Sequence, residues 1–313
     1  MTATACAAPA TGARVVSADE LCRAMRAAFP SVSQAWANGL DRVLRHDPAA
    51  GRLEVQARTP WATLAALGVE SAHHGTVGDA VAENRPGPDG RPIDAHVAAL
   101  TLASADGHLR RASRELAPEL FRLAVGGMGA FGPFYSITLD LDSLVEASRG
   151  AEPGLSLPLP TGKPHGTTHV VELLLPPDTA TQAADRLREA VAERRLPLTG
   201  LRASRARPED VTLLRWACRE FVLLQVEFAS APTLGACAAA AQLRARMIEL
   251  AIAAGGSIMP AMLASATRAQ AQACYPMLGE FLAEKQRLDP ADRASSPWSR
   301  AVTRAWRLGT RGG

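Results

Sequence analysis

Short runs of alternating apolar and polar residues, broken by Gly and Pro, fill the first half of the chain, and longer helical periods enter in the second. Ser17 at an N-cap and Glu20 at the capping-box position predict a helix from there to about Ala28, stopped by Phe29-Pro30. Val43–Asp47 and Arg52–Ala57 flank the turn Pro48-Ala49-Ala50-Gly51, a hairpin pattern with Leu53, Val55 and Ala57 on one face. Pro60 opens a short helix that runs through Leu67. A Gly-containing stretch, His73 to Ala82, precedes a turn-rich loop at 86–92. Val97–Ala103 alternates as a strand, Asp106-Gly107 turns the chain, and His108–Ser113 returns. Glu119-Leu120-Phe121 leads into Gly126-Gly127-Met128-Gly129, and a strand follows over Phe134–Leu141.

After a Gly/Pro-rich stretch from Gly150 to Pro164, the pattern predicts a strand at His169–Leu175 and a helix at Thr179–Arg194. Strands at Leu198–Arg205 and Phe221–Phe228 and a helix at Thr233–Ala254 come next. One last helix runs from about Thr267 into Leu278–Arg287. This order is α+β with mixed sheets, not a regular βαβ array. It divides into 14–145, a linker at 146–168 and a second domain at 169–300, with flexible ends at 1–13 and 301–313.

Composition changes this picture in three ways. Hydrophobic residues make up 47% of the chain, but many are alanines, which bury little area each. A formal net charge of +3, with acidic residues among the arginines throughout, argues against a nucleic-acid partner. Cys6, Cys22, Cys218, Cys237 and Cys274 form no CxxC pair and no metal-spaced cluster, which predicts buried thiols in a reducing compartment and no metal site. Met1 to Gly12 lacks the features of a signal peptide, and polar residues interrupt the apolar stretch 236–254, so a cytoplasmic protein with no integral membrane segment is expected.

The candidate chemistry lies in the glycines. Gly126, Gly127 and Gly129 are either a phosphate-approaching loop or a tight helix-to-strand turn; Thr76, Val77 and Gly78 pose the same choice. His73-His74 is a site-edge or surface pair, since adjacent histidines point apart on a strand. Arg215 and Trp216 either line a cavity or belong to the core. The basic, aromatic tail from Trp298 to Arg307 reads as a solvated terminus or as a contact with a surface or partner.

Several segments, in order, resemble FAD-linked oxidases with a p-cresol-methylhydroxylase-type FAD-binding domain, of which sugar and sugar-lactone oxidases and decaprenylphosphoryl-ribose oxidases are the nearest in character. The segment from Thr76 to Asn84 resembles the family's TVGGxIAxN, His96 to Gly107 its HVxxLxLxxADG strand, and Glu119 to Gly132 its ELFxxxxGGxGxxG segment. Tyr275-Pro276, Phe281, Lys285 and Asp289-Pro290 resemble its ending. The resemblance implies a truncated FAD-binding domain followed by a mixed-sheet substrate domain. It implies FAD as cofactor, contacted by Thr76, Val77, Gly78, Ala82, Asn84, Gly126, Gly127, Gly129 and Gly132, and hydride transfer from an alcohol or sugar-like substrate.

Three departures from the family qualify that expectation. Only Phe29–Gly39 stands where the family has its first phosphate loop and its histidine for covalent attachment, so non-covalent FAD is expected. Asp79 replaces the second paired glycine. Ser257–Leu263 carries no titratable group where the oxidases keep polar ones, which leaves His96 and His165 as candidate bases, since only histidines titrate near neutrality. The alternatives are a pseudo-oxidase that serves as a binding or assembly subunit, and a chain whose site a partner protein completes.

Overall fold

The computed structural model describes residues 15–27, 39–69, 75–151, 154–156, 166–194 and 196–308. The fold is α+β, but both five-stranded sheets are antiparallel throughout and not mixed as expected, since every neighbouring pair of strands runs in opposite directions. Helix α1 (Ala18–Arg26) starts as its sequence predicts, with Ser17 Oγ accepting the Glu20 N–H at 3.2 Å. Strands β1 (Val43–Asp47) and β2 (Arg52–Gln56) pair around Gly51, whose φ of 59° closes the turn. Residues 61–67 form a 3-10 turn. Helix α2 (Val77–Glu83), strands β3 (Val97–Ala103) and β4 (Leu109–Ser113), helix α3 (Pro118–Ala124) and strand β5 (Phe134–Asp140) complete the first unit. The sheet order is β1-β2-β5-β3-β4, so the strand farthest along the chain lies in the middle.

Period 2 sets which face of this sheet is buried. Leu53 and Val55 on β2, Ile137 and Leu139 on β5, and Leu100 and Leu102 on β3 are fully buried in one core. Their register puts Leu53 opposite Leu139 and Val55 opposite Ile137. Each such side chain contributes roughly 1.5–3 kcal/mol by leaving water. The residues between them face the other way and pair as polar groups: Arg52 with Asp140, and Glu54 with Ser136 (2.7 Å) and Arg111 (3.7 Å).

Helix α4 (Leu141–Arg149) follows β5 directly, so residues 146–149 of the expected linker are helical. The second unit contains β6 (Leu155–Ser156), β7 (Thr167–Leu175), α5 (Ala180–Glu193), β8 (Leu198–Ala206), β9 (Phe221–Ser230), α6 (Leu234–Ala253) and β10 (Ser257–Ile258). Its sheet order is β10-β7-β9-β8-β6. Helix α6 buries Ala240, Leu243, Met247 and Ala251, a stripe at helical spacing, and packs on α5 and β7. No described helix is long and apolar enough to cross a membrane.

The C-terminal part differs from expectation twice. The single helix expected from Thr267 is two, α7 (Arg268–Cys274) and α8 (Leu278–Leu288), because Pro276 drives Tyr275 out of the helical region (φ −134°, ψ 80°). The expected flexible end is helix α9 (Pro297–Leu308) as far as Leu308. It docks through buried Trp298 and Val302 and through the Trp306 ring, which lies 4.5 Å from the Arg268 guanidinium. Arg268 lies well upstream of Trp306, in another helix, so local pattern does not show the contact.

The two units touch through backbone as well as side chains. Trp216 Nε1 donates to the Asn84 carbonyl at 2.8 Å, Leu213 N to the Arg122 carbonyl at 3.0 Å, and Arg85 pairs with buried Glu172 on β7.

Candidate functional site

Beyond the end of β2 the chain makes one pass that builds a cleft. Thr76 bridges back to Pro60, and the first turn of α2 hangs from the strand end: Val77 N donates to Thr59 O at 2.9 Å and Gly78 N to Ala57 O at 2.7 Å. The last turn of α2 holds the glycine loop, with Gly126 N on Val81 O (3.0 Å) and Met128 N on Ala82 O (2.8 Å). The result is a cleft of about 220 Å³ between α2, the 128–134 loop and residues 293–296. Met25 of α1 and Arg58 complete its wall.

Of the residues that the sequence assigns to a cofactor, Thr76, Gly78, Ala82, Gly129 and Gly132 line this cleft. Val77 points into the first core and is fully buried. Asn84 is the left-handed C-cap of α2 (φ 47°), and its Oδ1 accepts the Asp94 N–H at 3.0 Å. Gly126 and Gly127 sit in the turn behind the cleft wall. A Cβ on Gly78 would stand 2.6 Å from the Ala57 carbonyl oxygen, so glycine there serves the seating of α2 on β2. Gly129 is different: its φ is 71°, and the nearest atom to a Cβ would be Ser296 Cβ at 3.7 Å, across the cleft.

The charges are arranged around α2. Asp79 is the third residue of a capping box: its Oδ2 accepts from Thr76 Oγ1 at 2.7 Å, and Thr76 Oγ1 accepts the Asp79 N–H at 3.2 Å. Arg58 approaches the same carboxylate at 3.4 Å. Asp79 is thus tied to its own helix. Glu83 also lines the cleft. Burial pushes its carboxyl above the usual glutamate range, and Arg85, 2.6 Å away, only partly offsets this because Arg85 is shared with Glu172. Glu83 is therefore a cleft carboxyl able to exchange a proton nearer neutrality than an exposed one. Nothing in the local sequence distinguishes Glu83 from other glutamates; burial in the cleft does.

Of the expected base candidates, only His96 is among the described residues. His96 is fully buried beneath Gly87, with Nδ1 2.8 Å from Ser143 Oγ and Nε2 3.6 Å from Asp89; burial pushes its pKa down, and it does not line the cleft. His165, His73 and His74 lie outside the described residues, as does most of the Phe29–Gly39 segment. Ser257–Leu263 is β10 plus a 3-10 turn packed in the second core, where the Ile258 and Pro260 carbonyls accept from Tyr275 Oη and Trp298 Nε1. Trp216 is a core residue, and Arg215 is exposed. Among the described residues no group of His, Cys, Asp or Glu is placed to hold a metal; Cys22, Cys218, Cys237 and Cys274 are free, and Cys218 and Cys237 are exposed rather than buried as expected.

No model of a known protein family matches the chain, and no curated protein matches it.

Proposed function

We propose that the chain is a non-covalent FAD-dependent oxidoreductase of the FAD-linked oxidase type, acting on an alcohol or sugar-like substrate, with the cleft against α2 as its ligand site. The observation that supports this most is the meeting of Thr76, Gly78 and Ala82 with Gly129 and Gly132 around one cavity, although they come from separate segments. Its volume, about 220 Å³, is below the ~300–1,000 Å³ of pockets that enclose a drug-sized ligand. It suits one end of a dinucleotide, with the remainder lying along the surface. Arg58 and Arg293 would face phosphate, and the bare Gly129 backbone would allow close approach. When bound, the flavin supplies the acceptor for a hydride. Glu83 would hold the substrate proton at its carboxylate, in reach of the cleft and returned to solvent through its mouth.

A second reading is a pseudo-oxidase that binds or assembles, with or without a partner chain. The burial of Ser257–Leu263 in the second core, with no titratable side chain there, supports it.

The visible absorption spectrum of the purified protein after incubation with FAD and desalting tests the first reading. Flavin bands that stay with the protein and pass wholly to the supernatant on acid precipitation are expected. A colourless protein would refute it. Bound flavin that dithionite reduces but no alcohol, sugar or sugar lactone does would favour the second reading.

A further inference from the structure

The C-terminal wall of the cleft is built as a rigid mount. Helix α8 ends at Leu288, and Asp289 follows with 4% exposure. Its carboxylate accepts the N–H groups of Arg293 (2.9 Å) and Ala294 (2.7 Å) and pairs with buried Lys285, which also reaches Asp292 at 3.3 Å. From the other side Arg300 Nη1 donates to the carbonyl and hydroxyl oxygens of Ser295 at 3.2 and 3.0 Å. The backbone of this loop is held at both ends, yet the Arg293 side chain is exposed and makes no hydrogen bond or ion pair among the described residues.

Arg58 lines the same cleft, and its contact with Asp79 at 3.4 Å is long for a charge-assisted bond. Asp79 is already engaged by the Thr76 hydroxyl, and Glu83 by Arg85. The cleft therefore holds the unpaired Arg293 guanidinium and an Arg58 guanidinium whose ion pair with Asp79 is long, so both keep donors for an anion.

We infer that Arg293 and Arg58 form a subsite for a phosphate group of a ligand seated in this cleft. Guanidinium forks match phosphate geometry, and Gly129 opposite Ser296 leaves room for the group to reach the loop. The inference rests on the cleft being the ligand site, not on that ligand being a flavin. The phosphate belongs either to a dinucleotide cofactor or to a phosphorylated substrate.

The test is calorimetric titration of the full chain with inorganic pyrophosphate at low ionic strength. Saturable binding is expected, weakened at least tenfold in Arg293→Gln and in Arg58→Gln and unchanged in Arg304→Gln, which removes an equal charge from α9 outside the cleft. Arg293 is exposed and unpaired, so its variant keeps the fold; its circular-dichroism melt checks this. Displacement of pyrophosphate by FAD assigns the subsite to a cofactor, and simultaneous binding assigns it to a substrate. Pyrophosphate binding without FAD uptake refutes the flavin reading while supporting the subsite. No binding, equal affinity in wild type and Arg293→Gln, or an equal loss in Arg304→Gln overturns the inference.

Discussion

The two sheets solve the same problem in different ways. In the first, one face is apolar and the other carries ion pairs such as Arg52 with Asp140. In the second, Val171 to Leu175 of β7 are all buried: α6 packs on this strand, and Glu172 is covered where it pairs with Arg85 of the first unit. The first sheet therefore has strand ends and loops free to shape a cleft. The second acts as a buttress whose C-terminal extension contributes one loop to that cleft. The candidate site lies almost wholly on the first half.

Removing the loop's anchor tests the buttress most severely. Lys285→Met leaves Asp289 buried without its cation, and a loss of about 3–5 kcal/mol is expected in urea unfolding. A loss below 1 kcal/mol would show that the pair does not hold the loop. The junction between the halves comes next. Burial pushes the Glu209 carboxyl up to about 7, and Asp94 of the first unit adds to this, against hydrogen bonds from Thr212 and Trp216. Its folded pKa is raised, so its contribution is complete below about pH 4.5 and lost as pH rises through about 7. The integral is about 3 kcal/mol of stability between pH 4.5 and 8. Unfolding free energies measured at pH 5 and pH 8 should show this fall, and Glu209→Gln should abolish it; an unchanged difference in the variant would assign the pH dependence elsewhere. The smallest effect is the most discriminating. Capping boxes start helices in both halves, Thr76 with Asp79 and Thr267 with Gln270. Thr76→Ala and Thr267→Ala should each cost about 1 kcal/mol. Only the first should also weaken binding of a ligand in the cleft, and equal effects on binding would separate the cleft from function.

The first sheet's hairpins were legible because period 2 and turn chemistry act over a few residues: Pro48–Gly51 and Asp106-Gly107 turn where expected, and the strands begin within two residues of their predicted starts. The split of the late helix was legible too, at Tyr275-Pro276, but the helical pattern on either side masked it. What local pattern could not show was partnership. The glycine requirement at 78 comes from the carbonyl of Ala57, and Asp79, a misplaced charge in the sequence, is half of a capping box with Arg58 beside it.

The sequence by itself determined the α+β class, most strand and helix positions, and a set of small and polar residues of which Thr76, Gly78, Ala82, Gly129 and Gly132 share a cleft. Tertiary structure alone decided that a partly buried Glu83 lines that cleft while His96 does not, and that Arg293 reaches it from the far end of the chain. The physical reason is that burial and charge pairing depend on what the fold brings near a residue, whereas strand alternation and helix capping depend on what stands beside it in the chain.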